Sequence, residues 1–222
     1  MDQEVTAIKV QRRNHQRVNI YLDGEFAFGL SRFVAAWLKP GRKLSAVEIR
    51  KLQEEDTYEV AFQKALQFIH HRPRSIVETR RRLYQKGFEQ DVIDITIKKL
   101  IEKQYLDDFD FSRQWIDNRN EFKPRSQQLL THELRLKGVA DEIISLALEE
   151  FGADEIELAY KAGTKKSKQC QHEPQPDFYK KVSGFLSRRG FRYGIVRPTV
   201  DRLWLEFTNP TPERQNTNLK ME

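Results

Sequence analysis

Six cations crowd one short stretch of this chain: Arg72, Arg74, Arg80, Arg81, Arg82 and Lys86. A second group, Lys180, Lys181, Arg188, Arg189 and Arg192, follows a lysine run at Lys165, Lys166 and Lys168. Guanidinium forks and ammonium groups are the side chains that grip phosphate oxygens. Each cation that meets a phosphate releases a counterion, so binding by such a surface weakens steeply with salt. Any one of these residues alone reads as part of a solvated face. Their recurrence, at matching places of the repeat described below, points to a surface that follows a phosphate backbone. Nothing in either group supplies a base-reading code. Tyr84 and Tyr193 can stack on bases, although packing is the plainer role.

Other chemistry finds little footing. The single cysteine, Cys170, lies in a polar stretch, and neither CxxC nor HExxH spacing occurs. His70 and His71 adjoin Arg72 at a helix end, and neighbouring helical positions do not share a face well enough to hold one metal ion. Asp107-Asp108 resembles a catalytic carboxylate pair but stands where a helix should start, which favours capping. Gly24 and Gly29 belong to a hairpin and Gly41 follows Pro40, so none forms a phosphate loop. Neither an enzyme nor a cofactor or metal site is expected.

The elements that position the cations form a repeat. Pro73, Pro124 and Pro176 are each followed by a leucine (Leu83, Leu134, Leu186), a glycine (Gly87, Gly138, Gly190) and an apolar residue (Phe88, Val139, Phe191). Apolar pairs recur beyond each glycine, at Val92-Ile93, Ile143-Ile144 and Ile195-Val196. Fixed spacing of this kind marks tandem units of about fifty residues. Each unit reads as three helices. In the first, Tyr58, Ala61, Phe62, Ala65, Leu66 and Ile69 form one apolar stripe. Ser75 and Glu78 then make a capping box, and the helix ends at Gly87. Helices this short bury little alone, so neighbouring units are expected to share a core along a curved rod. The third unit is the least regular, because its first helix must pass Gly163 and the polar run Thr164–Pro176.

The first fifty residues differ. Asp23-Gly24 divides two apolar runs and predicts a β-hairpin, with Val5–Val10 as a possible third strand. Ser45 to Glu48 reads as a second capping box. The expected fold is mainly α: tandem three-helix repeats in an elongated curved arrangement, with a small N-terminal β-hairpin and helix extension. The divisions fall at 1–56 for the extension, 57–104, 105–152 and 153–208 for the three repeats, and 209–222 for a disordered tail.

The net charge of +6 is unevenly spread. The segment 105–157 carries 6 cations against 13 anions, and 158–222 carries 13 against 6. The acidic middle, with Asp107, Asp108, Asp110, Glu142, Glu149 and Glu150, suits a basic protein surface. Mean hydropathy is −0.73, and no apolar run approaches the roughly 20 residues that cross a bilayer. Met1–Glu4 lacks the basic and apolar regions of a secretory signal, and one cysteine fits a reducing compartment. A cytoplasmic protein without membrane contact is expected.

Arg72–Arg119, followed by "ELRLKGVADEIISLAL", resembles the RecX family of bacterial recombination regulators. Arg72, Arg74, Ser75, Leu83, Lys86, Gly87 and Phe88 match that family's R-x-R-S…L-x-x-K-G-F block. Tyr105-Leu106-Asp107-Asp108 matches its G-Y-L-D-D block apart from the glycine, and Glu133, Leu134, Lys137, Gly138 and Val139 match E-L-x-x-K-G-V. Phe185–Phe191 matches the closing motif, so the resemblance covers about residues 55–207.

Three departures carry expectations. Gln104 replaces the glycine, so that junction should turn differently. Thr79 replaces a leucine and should remove a core contact. Pro198 should delay or kink the last helix. The resemblance implies a non-enzymatic, monomeric regulator that binds the RecA recombinase filament on single-stranded DNA, and duplex DNA through its backbone. It would restrain ATP hydrolysis, strand exchange and the SOS response. A stand-alone DNA-binding protein or transcription factor with a helix-turn-helix-like unit is the alternative, and a pure protein scaffold is a third reading.

Overall fold

The computed structural model describes residues 2–208, so the segment expected as a tail lies outside the described residues. Two compact units divide between Asp107 and Asp108. The first opens with strands β1 (Gln3–Val10), β2 (Arg17–Leu22) and β3 (Glu25–Ser31), then a 3₁₀ turn at Val34–Trp37 and a two-residue strand β4 (Lys43–Leu44). The sheet is antiparallel with order β3-β2-β1-β4. Leu22 pairs with Glu25 across a two-residue turn. Asp23 and Gly24 both take positive φ there (51° and 93°), the geometry that Asp-Gly favours. Val5, Val18, Ile20, Leu22 and Leu30 alternate inward and pack on Leu44 and Leu52.

Helix α1 (Ala46–His70) begins with the expected Ser45–Glu48 capping box. It runs unbroken past residue 56, where the division between extension and first repeat was drawn. Asp56 ties the helix to the sheet by accepting from Arg17 Nη2 at 2.8 Å and from the Ser31 N–H. α2 (Ile76–Gln85) starts with the Ser75–Glu78 capping box, and α3 is Gln90–Glu102. The α1 stripe packs as its spacing requires: Ala61, Phe62 and Ala65 are buried with Leu83, Ile93, Ile97 and Leu100.

The second unit holds α4 (Asp108–Phe122), α5 (Gln127–Leu136) and α6 (Asp141–Phe151), then α7 (Glu155–Lys168), α8 (Gln175–Arg188) and α9 (Tyr193–Thr208). The chain is thus mainly α, in tandem three-helix units behind a small β extension. Buried apolar residues fall into separate clusters, one under the sheet and one per three-helix unit.

The irregular third repeat carries the largest helical cluster. α7 passes Gly163 because a Cβ there would stand 2.6 Å from Leu203 Cδ1; the glycine lets α7 and α9 approach closely. Cys170, expected in a polar, weakly structured stretch, is buried among Phe178, Val182 and Leu186. α9 starts on time at Tyr193 and contains Pro198, which supplies no N–H to the Gly194 carbonyl.

The repeated Leu…Gly-apolar motif is a Schellman cap in all three units. Gly87, Gly138 and Gly190 take φ of 83°, 81° and 87°. The next residue's N–H returns to the motif leucine: Phe88 to Leu83 O (3.4 Å), Val139 to Leu134 O (3.2 Å), Phe191 to Leu186 O (3.3 Å). All three leucines are fully buried.

A fourth copy ends α3, where Tyr105 N–H donates to Leu100 O at 2.9 Å and Gln104 takes φ 58°. The expectation of a different turn at Gln104 is therefore corrected: the turn is the same, and glutamine adopts the glycine conformation. Thr79 is likewise buried despite replacing leucine, its hydroxyl satisfied by Ser75 O at 3.0 Å.

Candidate nucleic-acid interface

In the first repeat, helix spacing gathers the cations around one ring. Lys64, Phe68 and His71 stand at i, i+4 and i+7 on α1, one face. Arg82 and Lys86 stand four apart at the end of α2, and Arg74 enters from the loop between the helices. The Arg74 guanidinium lies 3.9 Å from the Phe68 ring centroid and that of Arg82 lies 5.6 Å from it, a double cation–π contact. Arg74 Nε is buried and has no hydrogen-bond acceptor. Burial, then the neighbouring charges of Arg72 and Arg82, lowers the Arg74 pKa from the ordinary guanidinium value. A cleft of about 180 Å³ opens beside this ring, lined by Lys64, Gln67, Phe68, His71, Arg82 and Lys86.

The other cations of the group differ in freedom. Arg72 pairs with Glu78 at 3.3 Å and Arg80 pairs with Asp94, whereas Arg81 projects into solvent. Exposed pairs of this kind contribute little to stability and yield readily to a phosphate.

In the third repeat, Lys180, Arg188 and Arg192 are exposed, and Lys181 pairs with Glu173. Arg189 has a different post from the one its charge suggested. Its Nη1 donates to Pro124 O at 3.0 Å, its guanidinium covers Phe185 at 4.6 Å, and its carbonyl accepts from Ser126 N–H at 3.0 Å. It therefore joins the second and third repeats, and burial lowers its pKa. Beside this joint a groove of about 400 Å³ is lined by Lys165, Lys166, the exposed Phe122 and Lys161, which pairs with Glu121 at 2.9 Å. Lys161 and Phe122 escaped the sequence reading because neither lies in a dense basic run.

The acidic residues are scattered. α4 starts at Asp108, leaving Asp107 at the preceding capping position. Asp108 is buried, and Asp110 accepts from Arg113 and Gln114, with the Arg113 bond foremost in lowering its pKa. Glu142, Glu149 and Glu150 are exposed on α6. The carboxylate that organises the second repeat is instead the buried Glu133. Its Oε2 accepts from Trp115 Nε1 at 2.7 Å and Arg119 Nε at 2.8 Å, and Arg125 pairs with Oε1. Lys137 lies 5.1 Å from the Trp115 ring. In the sequence Glu133 stands out only as a motif match, and an offset comparison of charged columns is the signal that would have pointed to its role.

These features define a class: a tandem three-helix repeat protein with cationic side chains gathered on its helices. Four family models match in order. They are the regulatory protein RecX N-terminal domain over residues 3–45 and the RecX first, second and third three-helix domains over 61–100, 107–148 and 153–200. The regulatory protein RecX of Bacillus licheniformis is 31% identical over 195 residues, covering 86% of this chain and 74% of the relative. That of Bacillus subtilis is 28% identical over 221 residues, covering 98% and 83%.

The chain belongs to the RecX family. Among solved structures, a crystal structure of regulatory protein RecX shares the fold at TM-score 0.69 and 23% identity, covering 90% of this chain and 99% of that one. RecX from Lactobacillus salivarius follows at TM-score 0.59 and 21% identity, covering 68% and 99%. Among the described residues no helix is long and apolar enough to cross a membrane.

Proposed function

We propose that this chain is a non-enzymatic regulator of the RecA recombinase, binding its filament on single-stranded DNA and restraining ATP hydrolysis and strand exchange. It acts as a cytoplasmic monomer, and its contact with DNA, single-stranded or duplex, runs through the phosphate backbone. The observation that carries the reading is the set of cationic side chains around Phe68 in the first repeat. Exposed Lys180, Arg188 and Arg192 on the third repeat support it. The exposed acids Glu142, Glu149 and Glu150 of α6 and Asp107 before α4 are assigned to a basic surface of the recombinase, whereas Asp108 is buried and Asp110 is held by Arg113, so both leave that assignment.

The decisive experiment adds the purified protein to the cognate recombinase on single-stranded DNA and follows ATP hydrolysis. A rate that falls with concentration, together with co-sedimentation on the filament, is expected. An unchanged rate with no filament binding refutes the reading.

A further inference from the structure

The first two repeats can be compared column by column at their offset of 51 residues. Lys64 then corresponds to Trp115, Phe68 to Arg119, Arg74 to Arg125, Arg82 to Glu133 and Lys86 to Lys137. These are the side chains that gather at one place in each unit. In the second repeat the place is occupied by the chain itself: the Glu133 carboxylate sits inside donors from Trp115, Arg119 and Arg125.

The first repeat keeps the arginine of the loop, Arg74, and the lysine of the cap, Lys86, but has arginine where that carboxylate stands. The result is a cleft lined by Lys64, Arg82 and Lys86, with Arg74 stacked on the Phe68 of its wall and no acid among its lining side chains. The Glu78 carboxylate, which acts on Arg74 through space, accepts from the Ser75 N–H and pairs with Arg72. Arg74 stands at the position of Arg125, which pairs with Glu133, and its own Nε is buried without an acceptor. Cations packed this closely repel one another unless an anion joins them.

We propose that this cleft binds one phosphodiester of single-stranded DNA, seated where the second repeat places its own Glu133 carboxylate. Arg74 and Arg82 supply charge-assisted donors, their planes fixed against Phe68, and Lys64 and Lys86 close the sides. The inference rests on the nucleic-acid reading above and narrows it to one site.

Arg82→Glu tests it, because this change gives the first repeat the acid that the second repeat already has. The readout is anisotropy of a labelled oligo-dT with the full chain, across a salt series. Lys51→Glu serves as the control of equal charge change; Lys51 is exposed and lies about 20 Å earlier along α1, at a rise of 1.5 Å per residue.

R82E is expected to weaken binding about tenfold or more and to flatten the log–log salt slope by about 0.7 or more, while K51E leaves the slope unchanged. The R82E melting temperature should equal or exceed that of the parent, since Arg74 gains a carboxylate. Equal losses and equal slopes for R82E and K51E would overturn the cleft while leaving DNA binding intact, and a parent chain that binds no DNA would overturn both. Lys86→Gln is the second variant: a slope flattened by about 0.7 supports the site, and unchanged affinity counts against it. ATP is titrated alongside, and ATP binding lost in R82E with DNA binding retained would overturn the backbone assignment.

Discussion

Gly163 of α7 faces Leu203 of α9 so closely that an added Cβ would lie 2.6 Å from Leu203 Cδ1. Leu203 is itself buried, so it has little room to yield. Gly163→Ala sets two effects against each other. Alanine gains about 1 kcal/mol of helix propensity, and overpacking costs about 1–3 kcal/mol. The net expectation is a loss of about 1 kcal/mol. Gly194 of α9 has open space at its Cβ position, so Gly194→Ala should be neutral or stabilising. Urea midpoints of the two variants check the opposite signs; a stabilised G163A would show that the crossing is loose.

The four Schellman turns differ in ways that their motif does not reveal. Gln104 holds φ 58° where the other three have glycine. Left-handed geometry costs a residue with a Cβ about 1–2 kcal/mol, and glycine's extra freedom in the unfolded chain returns about 0.4–1 kcal/mol of that. Gln104→Gly should therefore stabilise by about 0.5–1 kcal/mol. In the other direction, Gly87→Ala meets nothing within 4 Å and costs only the backbone strain, whereas a Cβ on Gly190 would lie 2.9 Å from Leu129 Cβ. Gly190→Ala should be the more damaging of the pair by about 1–3 kcal/mol, the overpacking cost. Thermal melts of the three variants would place them in that order.

Glu133 anchors Trp115, Arg119 and Arg125, and removing it leaves two part-buried guanidiniums without their shared carboxylate. Glu133→Ala should cost about 3 kcal/mol, at the low end for a broken buried pair because the arginines keep some exposure to solvent. Glu133→Gln keeps an acceptor for the indole and should cost less. A fluorescence-monitored denaturation series separates the two, and equal stability of E133A and the parent would deny Glu133 its organising role.

The sequence carried the helical units well because their signals are local. Leu83, Gly87 and Phe88 satisfy one turn of backbone, so their recurrence could be counted without tertiary information. Gly163 and Cys170 misled for the converse reason: one is required by a helix that begins at Tyr193, far along the chain, and the other is buried by α8. Charged residues were hardest to place. Arg189 and Arg80 look alike in a basic run, yet one joins two repeats and the other pairs with Asp94. Glu133 entered only as a motif match with no role of its own, because its partners lie on α4 and in the loop before α5, up to 18 positions away in the chain. Which cations stay available for a ligand depends on such pairings, and composition does not record them.

The third repeat offers a separate measure of how many cations meet DNA. Lys180, Arg188 and Arg192 are exposed, while Lys181 is engaged by Glu173 and Arg189 by Pro124. Neutralising the exposed three together, Lys180→Gln with Arg188→Gln and Arg192→Gln, should leave the melting temperature within experimental scatter because none of them packs in the core. If all three meet phosphates of a single strand, the log–log salt slope should flatten by about 2, at roughly 0.7 for each phosphate no longer neutralised. Arg189→Gln should behave in the opposite way, lowering stability through the joint with Pro124 and changing the slope little. Salt titrations of oligo-dT binding against the melting curves of both variants distinguish the two roles. A triple variant with the parent's slope would confine the DNA-binding surface to the rest of the chain.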